Sequence, residues 1–154
     1  MIPKSHEGEI VKFEYNYIDE DIYLGSTICC EEDFNKTLRK EGVSAIISTE
    51  EHTSPPSDIE FYLHIPTKDT YSLSQDQLTI GVETIEELVF LKKKVYIHCT
   101  YGIGRSPTLL AAYLIKTRAL SIDEAEQFLK EKRPVVDITD RQKVGLSKYQ
   151  ESID

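Results

Sequence analysis

His98-Cys99-Thr100-Tyr101-Gly102-Ile103-Gly104-Arg105-Ser106-Pro107 stands between two runs of different character. Before it, Lys94-Val95-Tyr96-Ile97 is short, β-branched and aromatic, which suits a buried strand. After it, Leu109-Leu110-Ala111-Ala112-Tyr113-Leu114-Ile115 carries helix formers and no breaker. The stretch therefore joins a strand to a helix N-terminus, where unpaired amides and the positive end of the dipole favour an anion. Gly102 and Gly104 let the backbone curl several amides around one phosphate, because glycine tolerates positive φ. Pro107 suits a first helical turn. Thr100, Tyr101, Gly102, Ile103, Gly104 and Arg105 are thus the expected phosphate-binding residues.

The field that holds phosphate also favours a thiolate on Cys99, which makes it a nucleophile. Arg105 closes the loop with a planar fork that donates two parallel hydrogen bonds to phosphate oxygens. Taken alone, a cysteine at a strand end is an inert small hydrophobe and a Gly-rich turn is only a turn. The ordered run of residues between a strand and a helix reverses those odds.

Cys-x5-Arg preceded by His and followed by Ser resembles the signature loop of the cysteine-dependent protein tyrosine phosphatases. Tyr113 and Ser106-Pro107-Thr108-Leu109 resemble the dual-specificity branch, as does Ile22-Tyr23-Leu24-Gly25-Ser26 near the start. The resemblance implies that Cys99 forms a phosphocysteine, Arg105 binds the phosphoryl group and the Ser106 hydroxyl assists breakdown of the intermediate. It also implies that His98 orders the loop and helps keep Cys99 ionised. Neither metal nor cofactor is expected.

Breaking a phosphate ester leaves an alkoxide or phenoxide that departs more easily when a positioned carboxylic acid protonates it. Asp69 lies on a polar loop 30 residues before Cys99, and Ile65-Pro66-Thr67-Lys68-Asp69 is similar to the family's general-acid loop. Asp58 and Asp76 are lesser rivals. Gln142 suits a helix cap or a water-positioning role.

A chain of 154 residues suits one domain over 1–154, large enough for a core without disulfides. Its three cysteines, two of them the neighbours Cys29-Cys30, argue against a secreted disulfide framework and for a reducing cytoplasm. Met1-Ile2-Pro3-Lys4-Ser5-His6-Glu7-Gly8 lacks an apolar signal core, and no run is long enough for a membrane span. A formal charge of -9 argues against nucleic acid or anionic lipid as a partner. The only basic run, Lys92-Lys93-Lys94, reads as a solvated helix end.

Along the chain, Phe13 to Ile18 and Asp21 to Ser26 read as strands, and Glu31 to Lys40 as one helix closed by Gly42. Val43 to Ser48 and Ile59 to Ile65 are further strands, each followed by a loop. Ser74 with Gln77, Ser121 with Glu124, and Thr139 with Gln142 spell capping boxes for three helices. The fold class is α/β: a single layered sandwich whose central, mostly parallel sheet has about four to five strands flanked by helices.

The expected activity is removal of phosphate from protein tyrosine, with serine and threonine esters as an open extension. An RNA 5′-phosphatase and a phosphoinositide phosphatase are rivals that acidity and the lack of a loop lysine disfavour. A rhodanese-like sulfurtransferase, disfavoured by the Arg105-Ser106-Pro107 ending, and a non-catalytic phosphopeptide-binding module, disfavoured by the presence of Cys99, Arg105 and Asp69 together, are further rivals.

Overall fold

The run before the cysteine is the central strand of the sheet. In the computed structural model, which describes residues 11–154, the elements are β1 (Tyr15–Asp19), β2 (Ile22–Gly25), α1 (Glu31–Lys36), α2 (Leu38–Glu41), β3 (Val43–Ser48), β4 (Phe61–His64), α3 (Gln75–Phe90), β5 (Lys94–His98), α4 (Arg105–Arg118), α5 (Ile122–Lys132) and α6 (Asp140–Ile153). The expectation for Met1 to Gly8 lies outside the described residues.

The strand order is β1-β2-β5-β3-β4. β1 pairs antiparallel with β2, and every other pair is parallel. The parallel strands end together, Gly25 beside His98, His98 beside Ser48 and Ser48 beside His64. Open parallel sheets bind ligands beyond these carboxyl ends.

Side chains alternate across the sheet with period two. Leu24, Ala45, Ile47, Val95 and Ile97 join the core under α3, α4, α5 and α6. Tyr23, Ile46 and Tyr96 face the other way, against Phe34 and Leu38. Val95, Tyr96 and Ile97 are fully buried, so β5 is covered on both faces. Every residue of α4 from Arg105 to Ile115 is buried as well, which explains why Leu109 to Ile115 has no polar face. Both elements that flank the cysteine loop are therefore fixed by core packing.

All three capping boxes form, at Ser74/Gln77, Ser121/Glu124 and Thr139/Gln142. The expected helix from Glu31 to Lys40 is instead two short ones. Thr37 breaks it at φ -123° and ψ -89°, with its Oγ1 bonded back to Asp33 O at 2.7 Å, the back-bond by which threonine bends helices. Gly42 closes α2 in the left-handed region as expected. The basic run is also corrected: α3 ends at Phe90, Lys92 sits at positive φ in the turn, Lys93 pairs with Glu60, and Lys94 opens β5. Among the described residues no helix is long and apolar enough to cross a membrane.

Candidate active site

The cysteine loop is held by its carbonyls. His98 Nδ1 stands 3.4 Å from Cys99 O, and Thr27 N donates to Thr100 O at 2.9 Å. Arg133 donates from Nη2 to Tyr101 O and from Nε to Gly102 O, at 2.8 and 3.0 Å. Asp137 N donates to Ile103 O, and Thr108 N to Gly104 O. Each of these partners belongs to the surrounding scaffold. In a trans peptide the next N–H points opposite the carbonyl, so outward carbonyls turn the amides of the loop towards its interior. That is a cradle for an anion at the start of α4.

Gly102 is required at its place. It sits at φ +68°, and a Cβ there would lie 2.5 Å from Gly25 O. Gly104 differs from its sequence-based role, because its φ of -126° needs no glycine. Its value is space: a Cβ would come within 3.0 Å of Gln142 Oε1.

Cys99 is buried, with Sγ 3.1 Å from Ser106 Oγ. Arg105, the first residue of α4, is buried too. Its Nη1 donates to Thr67 O at 2.9 Å and its Nη2 to Thr100 Oγ1 at 3.0 Å. Nε has no hydrogen-bond partner. It stands 3.6 Å from Asp69 Oδ1, an ion-pair distance that is too long for a hydrogen bond.

These groups open into a pocket of about 210 Å³ lined by Cys99, Tyr101, Ile103, Gly104 and Arg105 from the loop, and by Asp69, Thr70, Asp137, Thr139 and Gln142 around it. Asp69 thus lines the same pocket as Cys99, with a side chain 65% exposed. Asp58 and Asp76 are not part of this lining; Asp76 lies in the first turn of α3. Gln142 is buried and committed on both ends. Its Oε1 accepts from Thr139 N at 2.9 Å, and its Nε2 donates to Tyr71 O at 3.2 Å.

His98 is buried against Tyr96, the rings stacked with centroids 5.3 Å apart. Burial pushes its pKa below the usual histidine value, with the nearby Glu50 carboxylate opposing the shift. Glu50 itself was read from sequence only as a loop residue, yet it is 2% exposed. Arg133 and Asp137 were missed as well. Nothing in their sequence setting marks them, since each acts on the loop through a backbone contact made by folding.

Among the described residues, Cys29, Cys30 and Asp33 are the group whose donor atoms could meet at a metal, all within 4.8 Å of one another. They sit at the start of α1, outside the pocket lining. Burial, and then the hydrogen bond to Asp33, push the Cys29 thiol up to about 12.

A family profile described as "Dual specificity phosphatase, catalytic domain" matches residues 22–152. The chain is 32% identical over 120 residues to human dual specificity protein phosphatase 16, across 75% of this chain and 18% of that protein. It thus spans about a fifth of that relative's length. It is 31% identical over 130 residues to the phosphatidylglycerophosphate phosphatase PTPMT2 of Arabidopsis thaliana, across 79% of this chain and 56% of that one. The crystal structure of Tk-PTP in its active form superposes with a TM-score of 0.80 at 31% identity, covering 90% of this chain and 97% of that one.

Proposed function

The chain belongs to the family of dual specificity phosphatase catalytic domains, and from that premise we propose that it hydrolyses phosphate monoesters of protein tyrosine through a phosphocysteine on Cys99. Serine and threonine esters are the extension. The carrying observation is the buried Cys99 Sγ at the floor of a loop whose carbonyls turn outward, beside an Arg105 Nε with no hydrogen-bond partner.

The inward amides and Arg105 hold the phosphoryl oxygens, and their hold tightens as charge spreads over the equatorial oxygens in the transition state. Cys99 attacks phosphorus while Asp69 protonates the departing oxygen. Asp69, now a carboxylate, then takes a proton from water, which attacks the phosphocysteine. Ser106, in contact with Sγ, donates a hydrogen bond to the sulfur as it leaves. The residues needed lie within 1–154 as one domain, and the chemistry requires no cofactor. Three free cysteines and a nucleophilic thiol suit a reducing cytoplasm.

A lipid phosphate is the second reading, because the similarity to a phosphatidylglycerophosphate phosphatase is nearly as strong as that to the protein phosphatase. The net charge of -9 disfavours an anionic membrane surface. The deciding experiment is turnover of a phosphopeptide panel, phosphatidylglycerophosphate, phosphoinositides and 5′-triphosphorylated RNA, with Cys99→Ser as control. Phosphotyrosine peptides are expected to give the highest kcat/KM and the control no turnover. A higher value for a lipid or RNA would overturn the substrate assignment, and an active control would overturn the chemistry.

A further inference from the structure

Beneath the cysteine loop lies a carboxylate that the hydrolytic steps do not use. The Glu50 side chain is 3% exposed, and burying a carboxylate costs several kcal/mol unless it is well bonded. It also places a negative charge under a site built for an anion. A role in packing alone does not account for either cost.

Its fixing is independent of the loop. Glu50 follows β3, where Thr49 N donates to His98 O at 2.9 Å and ties the end of β3 to the end of β5. Glu50 N donates to Ser48 Oγ at 3.2 Å, and His64 Nε2 lies 2.7 Å from Glu50 O. The carboxylate then meets the loop. Oε1 accepts from Thr100 Oγ1 and Oε2 from Thr27 Oγ1, both at 2.9 Å, and Oε2 is 3.4 Å from His98 Nδ1.

The bond to Thr100 has a consequence for Arg105. A hydroxyl carries one proton and two lone pairs, and an ionised carboxylate accepts only. The Thr100 proton is therefore committed to Glu50, and a lone pair is left for Arg105 Nη2 at 3.0 Å. Without that charge the hydroxyl is free to rotate its proton towards the guanidinium. With Nη1 on Thr67 O and Nη2 on Thr100 Oγ1, the guanidinium plane is set, and Nε is left without a hydrogen-bond partner 3.6 Å from Asp69 Oδ1, a residue of the pocket lining.

We propose that Glu50 is a positioning residue for Arg105, acting through the Thr100 hydroxyl to hold the guanidinium in the orientation that takes the phosphoryl group. This rests on the phosphatase reading only for its effect on rate. Its effect on anion binding is measurable without turnover.

The test titrates inorganic tungstate into the Cys99→Ser chain by calorimetry, and measures kcat and KM on nitrophenyl phosphate in the Cys99 chain. The variants are Glu50→Gln, Thr100→Val, Thr100→Ser and the double Glu50→Gln/Thr100→Val. Glu50→Gln and Thr100→Val should each weaken tungstate by about ten- to a hundredfold, the range for a lost hydrogen bond to a charged group. The double variant should be no worse than the weaker single, because both break one relay. Thr100→Ser, which keeps the hydroxyl, should bind within about twofold of the parent. On rate, the same variants should lower kcat more than they raise KM, since Arg105 tightens in the transition state. Thr100 is a half-buried loop residue, so its pair of substitutions carries the test if Glu50→Gln does not fold. Tungstate binding unchanged in Thr100→Val, or losses that add in the double variant, would overturn the proposal. If the losses appear in a chain that turns over no phosphomonoester, the positioning role stands and the phosphatase reading falls.

Discussion

Two loops leave the carboxyl ends of parallel strands β5 and β4, which β3 separates, and meet at the pocket, and they are built differently. The loop from Cys99 to Gly104 is anchored through successive backbone carbonyls, largely by buried donors such as Arg133 and His98. The loop from Pro66 to Leu73 exposes Lys68, Asp69, Thr70 and Tyr71. It is steadied chiefly by side chains of other elements: Thr139 Oγ1 on Thr70 O, Gln142 Nε2 on Tyr71 O, Gln77 Nε2 on Pro66 O, and the Arg141 guanidinium 4.1 Å from the Tyr71 ring centre. Both loops are thus held through their backbone carbonyls, but the first carbonyl by carbonyl and the second, beyond the buried Arg105 and Gln142, by donors that solvent reaches. The first loop has little freedom to move. The second has the weaker hold expected of a segment that must admit and release a substrate.

The sharpest way to break this contrast is Arg105→Lys, which keeps the charge but loses the two-pronged contact. About 10³-fold in kcat/KM is expected, in line with removal of one preorganised donor. A loss below tenfold would move the clamp elsewhere. Asp69→Asn comes next, at about 10²-fold on a phosphotyrosine peptide and distinctly less on nitrophenyl phosphate, whose phenol leaves with little help. Asp137→Asn in parallel is the control, since Asp137 is the other aspartate of the pocket lining. Leaving-group dependence in Asp137→Asn and none in Asp69→Asn would reassign the acid.

Backbone substitutions probe the same contrast in stability. Gly102→Ala meets both the positive φ and the contact with Gly25 O, and should cost about 2 kcal/mol or more and lower Tm by about 4–8 °C. Thr70→Gly, on the other loop at φ +67°, should shift stability by less than about 1 kcal/mol, because relief of the left-handed cost is offset by added chain entropy. Equal effects at the two positions would erase the distinction. The smallest effect expected is in pH dependence. The His98 pKa is lowered in the folded chain by burial, so the unfolded chain takes up its proton first. The contribution is complete above the ordinary value of about 6.5 and is lost as pH falls towards the folded value, with a slope of at most about 1.4 kcal/mol per pH unit. Urea midpoints at about pH 7.5 and 5.5 should differ less in His98→Asn than in the parent, and an unchanged difference would place the titration elsewhere.

What could be read from sequence follows the same division. The family, the α/β class and the three capping boxes were legible because contiguous residues carry them: a loop spelled in order, and Ser or Thr set three residues before Glu or Gln. The break at Thr37 was not, since Thr79, Thr84, Thr108 and Thr117 make the same back-bond inside unbroken helices, so a threonine in a helical run does not by itself mark a break. Asp69 was found by likeness to a loop, not by any local signal. Glu50, Arg133 and Asp137 escaped because they reach the cysteine loop across gaps of 50, 31 and 34 residues from Thr100, Gly102 and Ile103, through contacts that no spacing encodes. Gly104 was assigned a positive φ that its neighbour Gly102 alone needs.

The most direct measurement of the central claim is acid quench of the Ser106→Ala chain during turnover of a phosphotyrosine peptide, followed by peptide mass spectrometry. Ser106 Oγ touches Cys99 Sγ, so its loss should slow breakdown of the intermediate more than its formation. The account predicts one phosphoryl group on the peptide containing Cys99, and none in the Cys99→Ser chain. A phosphoryl group on any other residue, or undiminished turnover by Cys99→Ser, would contradict it.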